Sequence, residues 1–298
     1  MSVQTEALQS SPASRPGAEF VLALLSSRKA LCGVVVVLVI VVCAIASPLL
    51  APYDPSLQSL ADRMLPPFAS SPEGAFHLLG TDHLGRDMLS RLVYGSRISL
   101  MVGLSASLLA GTLGVLLGLV AGYFGGRTDD AIMRLSDVQL ALPYILVAMA
   151  ILAIVGSSLL NIILVLSGTQ WVTYARVVRS SVLSVKEQEY VLAARTIGMS
   201  NARIIARHVL PNVFAPVIVI ATFSVAQTIV AEAALSFLGL SVPPSVPSWG
   251  GMLADGRTYI AVAWWLVTIP GLAISLTVIG VNLLGDWLRD YLDPKLRL

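Results

Sequence analysis

Apolar residues run along this chain in long unbroken blocks separated by short polar stretches, and this is a membrane pattern. Crossing ~30 Å of hydrocarbon takes roughly 20 apolar residues in helical form. Six blocks reach about that length, at residues 30–50, 98–124, 138–156, 159–178, 213–238 and 261–284. The fourth is the most polar of them, because Thr169, Gln170, Trp171, Thr173 and Tyr174 fill its second half. The pattern predicts an all-α integral membrane protein with six transmembrane helices. It divides the chain into an N-terminal tail (1–29), a first helix (30–50), an outer segment (51–97), a core transmembrane domain (98–286) and a C-terminal tail (287–298). Residues 1–17, rich in Ser, Gln and Pro, predict a disordered leader.

The polar stretch 189–212, EYVLAARTIGMSNARIIARHVLPN, stands between two of these blocks and cannot enter lipid. Arg195, Arg203, Arg207 and His208 crowd within it, and each arginine at the bilayer centre would cost roughly 2.5–3.5 kcal/mol. A short helix over 188–197 is expected to end at Gly198 in a left-handed cap, with Ser200 capping a second helix to about Val209. Pro211 is expected to stop that second helix. Helix, glycine break and helix on a membrane surface make a docking element.

Composition agrees. Of 298 residues 56% are hydrophobic and 12% charged, with a mean hydropathy of +0.83, against roughly 25% charged residues in soluble domains. A net charge of +2 with scattered basic residues argues against nucleic-acid binding. With the N-terminus inside, inner segments hold 14 of the 19 Lys and Arg and outer segments 5, which places both termini and the docking loop in the cytoplasm. Arg28, Lys29 and the Ala44-Ile45-Ala46 run imitate a cleavable signal. The apolar run continues past that site and the polar leader is long, so an uncleaved span is expected. Cys32 and Cys43 sit in this span about 16 Å apart along a helix, too far for a disulfide.

Gly114, Gly118 and Gly122 share one face of the second span and predict close packing of another helix. GMLADGRT at 251–258 approaches a phosphate-binding loop, but Arg257 replaces the required lysine and no strand precedes it. ATP, if used, belongs to another chain. In the outer segment, His77, Asp82, His83 and Asp87 lack metal-site spacing. Gly80 and Gly85 are expected to shape turns, with Thr81 in the same motif, and Asp82, Arg86 and Asp87 to pair with one another or with a soluble partner. No nucleophile, base and orienting acid occur together, so no catalytic residues are expected. Glu232 is the one acid deep in an apolar block, with Gln227 and Thr228 nearby. It reads equally as a functional carboxylate or a hydrogen-bonded structural one.

The stretch 189–212 resembles the EAA loop of ATP-binding-cassette importer permeases, whose pattern is EAA, three residues, Gly, nine residues, then I-x-L-P. Ala193, Ala194, Gly198, Leu210 and Pro211 match it. Leu192 stands in place of the usual glutamate, with Glu189 one turn away, and His208 stands in place of isoleucine, as in the peptide-transport branch. Four further stretches, at 79–100, 129–143, 247–257 and 282–297, resemble the shorter, C-type permease of dipeptide and oligopeptide importers. The resemblance covers the chain from residue 30 onward.

It implies a type I importer fold with a cytoplasmic coupling loop at 183–211, whose residues Glu189, Leu192, Ala193, Ala194, Arg195, Gly198, His208, Leu210 and Pro211 contact an ATPase. It implies a homologous second permease in a pseudo-twofold heterodimer, two ATPase subunits or one fused ATPase, and an extracytoplasmic binding protein, in a bacterial inner membrane. ATP and Mg would bind only the partners. Short peptides are the expected cargo; nickel chelates, glutathione or another small solute are alternatives. Gln170, Trp171, Thr173, Gln227 and Glu232 are expected to line the path. An ion-driven secondary transporter predicts inverted repeats and several intramembrane charges, which are not seen. A membrane scaffold that recruits an ATPase without transport is the remaining alternative.

Overall fold

A computed structural model describes residues 16–240, 242–243 and 245–292. The expected leader therefore lies outside the described residues up to residue 15, as do Lys295 and Arg297 at the other end. Residues Pro16–Ser26, within the expected N-terminal tail, form helix α1. Ser27 then caps α2, Arg28–Ile45, through its side chain to the N–H of Ala30, and a single turn, α3, covers Ser47–Leu50.

The outer segment is irregular, with one small antiparallel pair between β1 (Ala69–Ser70) and β2 (Phe76–His77). It ends earlier than expected. Helix α4, Met88–Phe124, starts about ten residues before the apolar block, because Asp87 caps it through the N–H of Ser90 at 2.7 Å. The first turns of α4 thus carry polar side chains that are buried beneath the outer segment.

The expected third span is broken. Helix α5, Gly126–Leu140, meets α6, Tyr144–Val155, at a bend of 85°. Pro143 bars Leu142 from helical geometry, and α5 is amphipathic enough to lie along a neighbour. That neighbour is α7, Leu159–Val185. Arg179 grips Asp129 with Nε and Nη2 at 2.5 and 2.6 Å, and Arg176 reaches Asp137 at 2.5 Å. The bonds from Arg179 hold the Asp129 carboxyl below the usual carboxylate range.

Helix α7 lies against α4 in the most extensive helix pairing among the described residues. A Cβ at Gly114 would come 2.5 Å from the carbonyl oxygen of Trp171, at Gly118 2.6 Å from that of Ala175, and at Gly122 2.8 Å from the Cβ of Val182. The glycine face therefore packs within the bundle, and two backbones approach because no side chain intervenes.

After α7 come α8, Glu189–Thr196, and the short α9, Asn201–Ile204. A π turn, Ile205–Val209, then leads without interruption into α10, Leu210–Phe237. Pro211 does not stop this helix. Its ring would collide with the carbonyl four residues back in a regular α-helix. The π turn shifts the ladder, so that the N–H of Leu210 bonds to Ile205, and the Asn212 side chain takes up the carbonyl of His208 at 2.6 Å. Helix α11, Trp249–Gly256, precedes α12, Trp265–Leu292, which packs on α2 and α10.

By length and apolarity the described helices supply four crossings, Arg28–Ile45, Met88–Phe124, Asn201–Phe237 and Trp265–Leu292, or five with the bent α5–α6 pair. The six expected spans are not all matched by such helices, since the polar second half of α7 keeps it out of the set.

Candidate docking and translocation sites

Helix α8 has two faces of different character. Val191 and Ala194 point inward and pack with Leu119, Tyr123, Val182, Ile204 and Val213. Outward stand Glu189, Leu192, Ala193 and Ile197, the last 78% exposed. The two alanines therefore differ in role. Only Ala193 is open to a partner, whereas Ala194 lets α8 sit close on the bundle.

Gly198 has φ +79. Its N–H bonds to Arg195 at 3.0 Å and that of Met199 to Ala194 at 3.1 Å, which is the double bond of a Schellman cap. Nothing lies within 4 Å of where a Cβ would project, so the glycine is required for its backbone and not for space. Ser200 has the extended geometry of a cap, but its side chain makes no capping bond. The neighbouring Asn201 instead accepts from the Tyr123 hydroxyl at 2.9 Å. Arg195 lies over the Tyr123 ring, 5.8 Å from its centroid. His208 is half-buried beside the ring of Tyr190.

On the other side of the molecule the GTDHLGRD motif forms a buried polar core. Gly80 and Gly85 take φ +77 and +75 and turn the chain as expected. Asp82 accepts from Arg86 Nε at 2.6 Å and from the N–H groups of Leu84 and Arg86. Asp255 of α11 lies 3.2 Å from Arg86 Nη2 and 3.5 Å from Arg91 Nη2. Asp87 contacts Nδ1 of His77 at 2.9 Å and accepts from both N–H and hydroxyl of Ser90 at 2.7 Å. The Thr81 hydroxyl donates to the Asp62 carbonyl and accepts from the N–H of Leu65, and Trp265 Nε1 donates to the Thr81 carbonyl at 3.1 Å.

Asp82, Arg86, Asp87 and Arg91 are each 3% exposed. Asp82, Arg86 and Arg91 serve one another and, with Asp255, hold the outer segment on α11, while Asp87 serves His77 and Ser90; they do not present a charged surface to a soluble partner. Sequence reasoning missed Asp255, which lay inside the phosphate-loop imitation. Residues 251–256 lie in helix α11, and Arg257 just beyond it donates to the carbonyl of Phe237 at 2.6 Å.

The expected path residues do not converge. Gln227 is exposed and lines an open cleft of about 380 Å³ with Tyr144, Phe223, Val230, Val278 and Asn282. Glu232 is 1% exposed, and accepts from Ser236 at 2.9 Å and from Ser248 at 3.1 Å. Five residues of helix rotate it about 140° away from Gln227. It ties α10 to the cap of α11 and lines no cleft with Gln227. Gln170 accepts from Ser224 at 2.9 Å, and Trp171, buried, donates to Gln139 at 2.9 Å. These two join α7 to α10 and α5. Thr173 is exposed on α7, away from the cleft. Tyr144 and Asn282 were missed, since a lone polar residue at a span edge carries no local signal.

Comparison with known proteins places this architecture. Residues 114–298 match the family of binding-protein-dependent transport system inner membrane components, and residues 15–67 match the N-terminal transmembrane domain of oligopeptide transport permease C. The di/tripeptide transport system permease DppC of Pseudomonas aeruginosa is 45% identical, with 98% of each chain covered. Dipeptide permease DppC of Bacillus subtilis is 44% identical over 92% of this chain and 84% of its own, and oligopeptide permease OppC of the same organism is 38% identical over 91% and 87%. The fold is shared with an inward-facing MetNI methionine ABC transporter chain, at TM-score 0.54 and 16% identity, over 69% of this chain and 98% of that one.

The chain is an ABC importer permease: it belongs to the binding-protein-dependent transport system inner membrane components. Such subunits are multi-pass membrane proteins and not themselves enzymes; ATP hydrolysis falls to partner subunits, and a substrate-binding protein completes the system.

Proposed function

We propose that this chain passes short peptides into the cytoplasm as one half of a permease heterodimer, driven by ATPase subunits that dock on α8. The exposed face of α8, set on a buried one, carries the reading. Leu192, Ala193 and Ile197 offer an apolar ridge on a rigid base, suited to a groove on a soluble partner. Glu189 lies one turn from Leu192 on the same exposed side and supplies the carboxylate that position 192 lacks.

ATP-driven closure of two ATPase subunits, or of one fused ATPase, moves the docked helices and switches the bundle between inward- and outward-facing states. The energy comes from contacts that differ between the states. ATP and Mg stay on the partners, and the outer binding protein delivers the cargo. Both termini and α8 lie in the cytoplasm, and α7 completes a six-span arrangement in the inner membrane. The path runs along the cleft of Gln227, Tyr144 and Asn282. These neutral groups have no hydrogen-bond partner among the described residues, and amide and phenol groups both donate and accept, as peptide bonds require.

ATP-dependent uptake of labelled short peptides by the assembled complex tests this, comparing wild type with Gly198→Asp while following subunit assembly. Loss of uptake with assembly intact is expected. Undiminished uptake would overturn the docking reading, and uptake of nickel chelates or glutathione in place of peptides would overturn the cargo.

A further inference from the structure

The docking element joins the bundle covalently at both ends: α7 runs through residues 186–188 into α8, and α9 runs through the π turn into α10. Apolar packing of Val191, Ala194 and Ile204 seats it on the bundle, and across the Gly198 turn one side chain, Tyr123 in the last turn of α4, adds a polar hold on both short helices.

Tyr123 is buried, 7% exposed, in the cluster that holds Val191 and Ala194 of α8 and Ile204 of α9. Its hydroxyl donates to Oδ1 of Asn201, the first residue of α9. Its ring carries the Arg195 guanidinium from the last turn of α8. One residue of α4 thereby touches both short helices, on either side of the Gly198 turn. Among the described residues, the Tyr123–Asn201 bond is the one hydrogen bond joining residues 189–204 to a helix remote from them in sequence. The end of α4 is itself fixed, because Lys186 at the end of α7 donates to the Gly122 carbonyl at 2.9 Å. Above it, the Gly114, Gly118 and Gly122 face binds α4 to α7.

We infer that Tyr123 is a positioning residue for transport, a clasp that holds α8 and α9 at one angle and passes their displacement into the α4–α7 pair. Without it, α8 follows α7 and α9 follows α10, and the Gly198 turn between them absorbs the displacement. α10 and the α4–α7 pair then no longer move together, so ATP is spent without a matching movement of cargo. The inference rests on the proposed docking of an ATPase on α8. Dispersion and burial around the ring keep the element in place when the hydroxyl alone is removed, which separates positioning from folding.

The experiment uses the complete complex, with both permeases, the ATPase and the binding protein, in proteoliposomes. Peptide uptake and ATP hydrolysis are measured together. Tyr123→Phe is expected to lower uptake per ATP by about twofold to tenfold, the worth of one hydrogen bond in a two-state balance. ATPase copurification and thermal stability should stay near wild type. Asn201→Leu should reproduce the loss, Asn201→Asp should retain coupling because an acceptor remains, and Tyr123→Phe with Asn201→Leu should be no worse than either alone. A wild-type ratio in Tyr123→Phe, or losses that add in the double variant, would overturn the clasp. Ile197→Asp, on the outer face of α8, keeps the two readings apart. If it leaves ATPase binding intact the docking reading fails, whereas if it abolishes binding while Tyr123→Phe stays fully coupled, only the clasp fails.

Discussion

Arg86 and Asp255 meet at 3.2 Å across 169 residues of chain. The contact joins the outer segment to helix α11, and it forms beside a second pair, Asp82 with Arg86 at 2.6 Å, that is almost closed to solvent. Four charges in one buried cluster hold because each has an opposite partner; removal of one member leaves another desolvated and unpaired.

Asp82→Asn should therefore be more damaging than Asp255→Asn. Asp82 is buried and serves Arg86, Arg91 and two backbone N–H groups, so a loss of about 3 kcal/mol is expected, typical of a broken buried pair. The Asp255 side chain is 33% exposed, and its loss should cost less. Thermal unfolding of the two variants in detergent, read side by side, checks the order. Equal or reversed losses would sink the account of this core.

Gly118→Val tests the α4–α7 seam. The new Cβ would meet the Ala175 carbonyl at 2.6 Å and the Val178 Cβ at 2.8 Å, and overpacking of this kind costs about 1–3 kcal/mol. Gly168→Ala, where nothing lies within 4 Å, is the control and should be nearly silent. Expression level and thermal stability distinguish the pair; a stable Gly118→Val protein would show that the two helices can separate freely.

At Gly198 the requirement is left-handed backbone, not room. Gly198→Asn should be tolerated better than Gly198→Ala, since asparagine adopts that region more readily. Gly198→Ala should destabilise the cap by about 1 kcal/mol and lower coupled uptake. Rank order of uptake across the three residues is the measurement, and alanine performing as well as glycine would refute the strained-turn argument.

Gln227→Ala should raise the apparent KM for peptide uptake severalfold while leaving subunit assembly unchanged, because its side chain lines an open cleft. Glu232→Gln should act oppositely, lowering stability with KM preserved, because Glu232 is buried between Ser236 and Ser248. Parallel uptake kinetics and melting curves decide it; a KM change in Glu232→Gln alone would return the carboxylate to the path.

Features that depend on a few adjacent residues could be read directly. Gly198 signals its own backbone conformation, and the glycines at 114, 118 and 122 recur with the helix period, so both roles are written locally. The motif around Asp82 could be placed at a turn for the same reason. Pro143 carried a break signal too, but averaging hydropathy over a span hides a bend of 85° within it. Pro211 misled in the other direction, because a π turn relieves the clash that a proline creates in a regular helix.

By itself the sequence determined the membrane class, the polar helix–glycine–helix stretch and the family pattern, since hydrophobic length, charge placement and glycine geometry act within a turn or a span. Only the tertiary structure decided that Glu232 faces α11 while Gln227 faces a cleft, that Asp255 completes the Arg86 core, and that Tyr123 touches both α8 and α9. Those relations join residues tens to hundreds of positions apart. They follow from which helix faces pack together, a property of the whole bundle that no local pattern encodes.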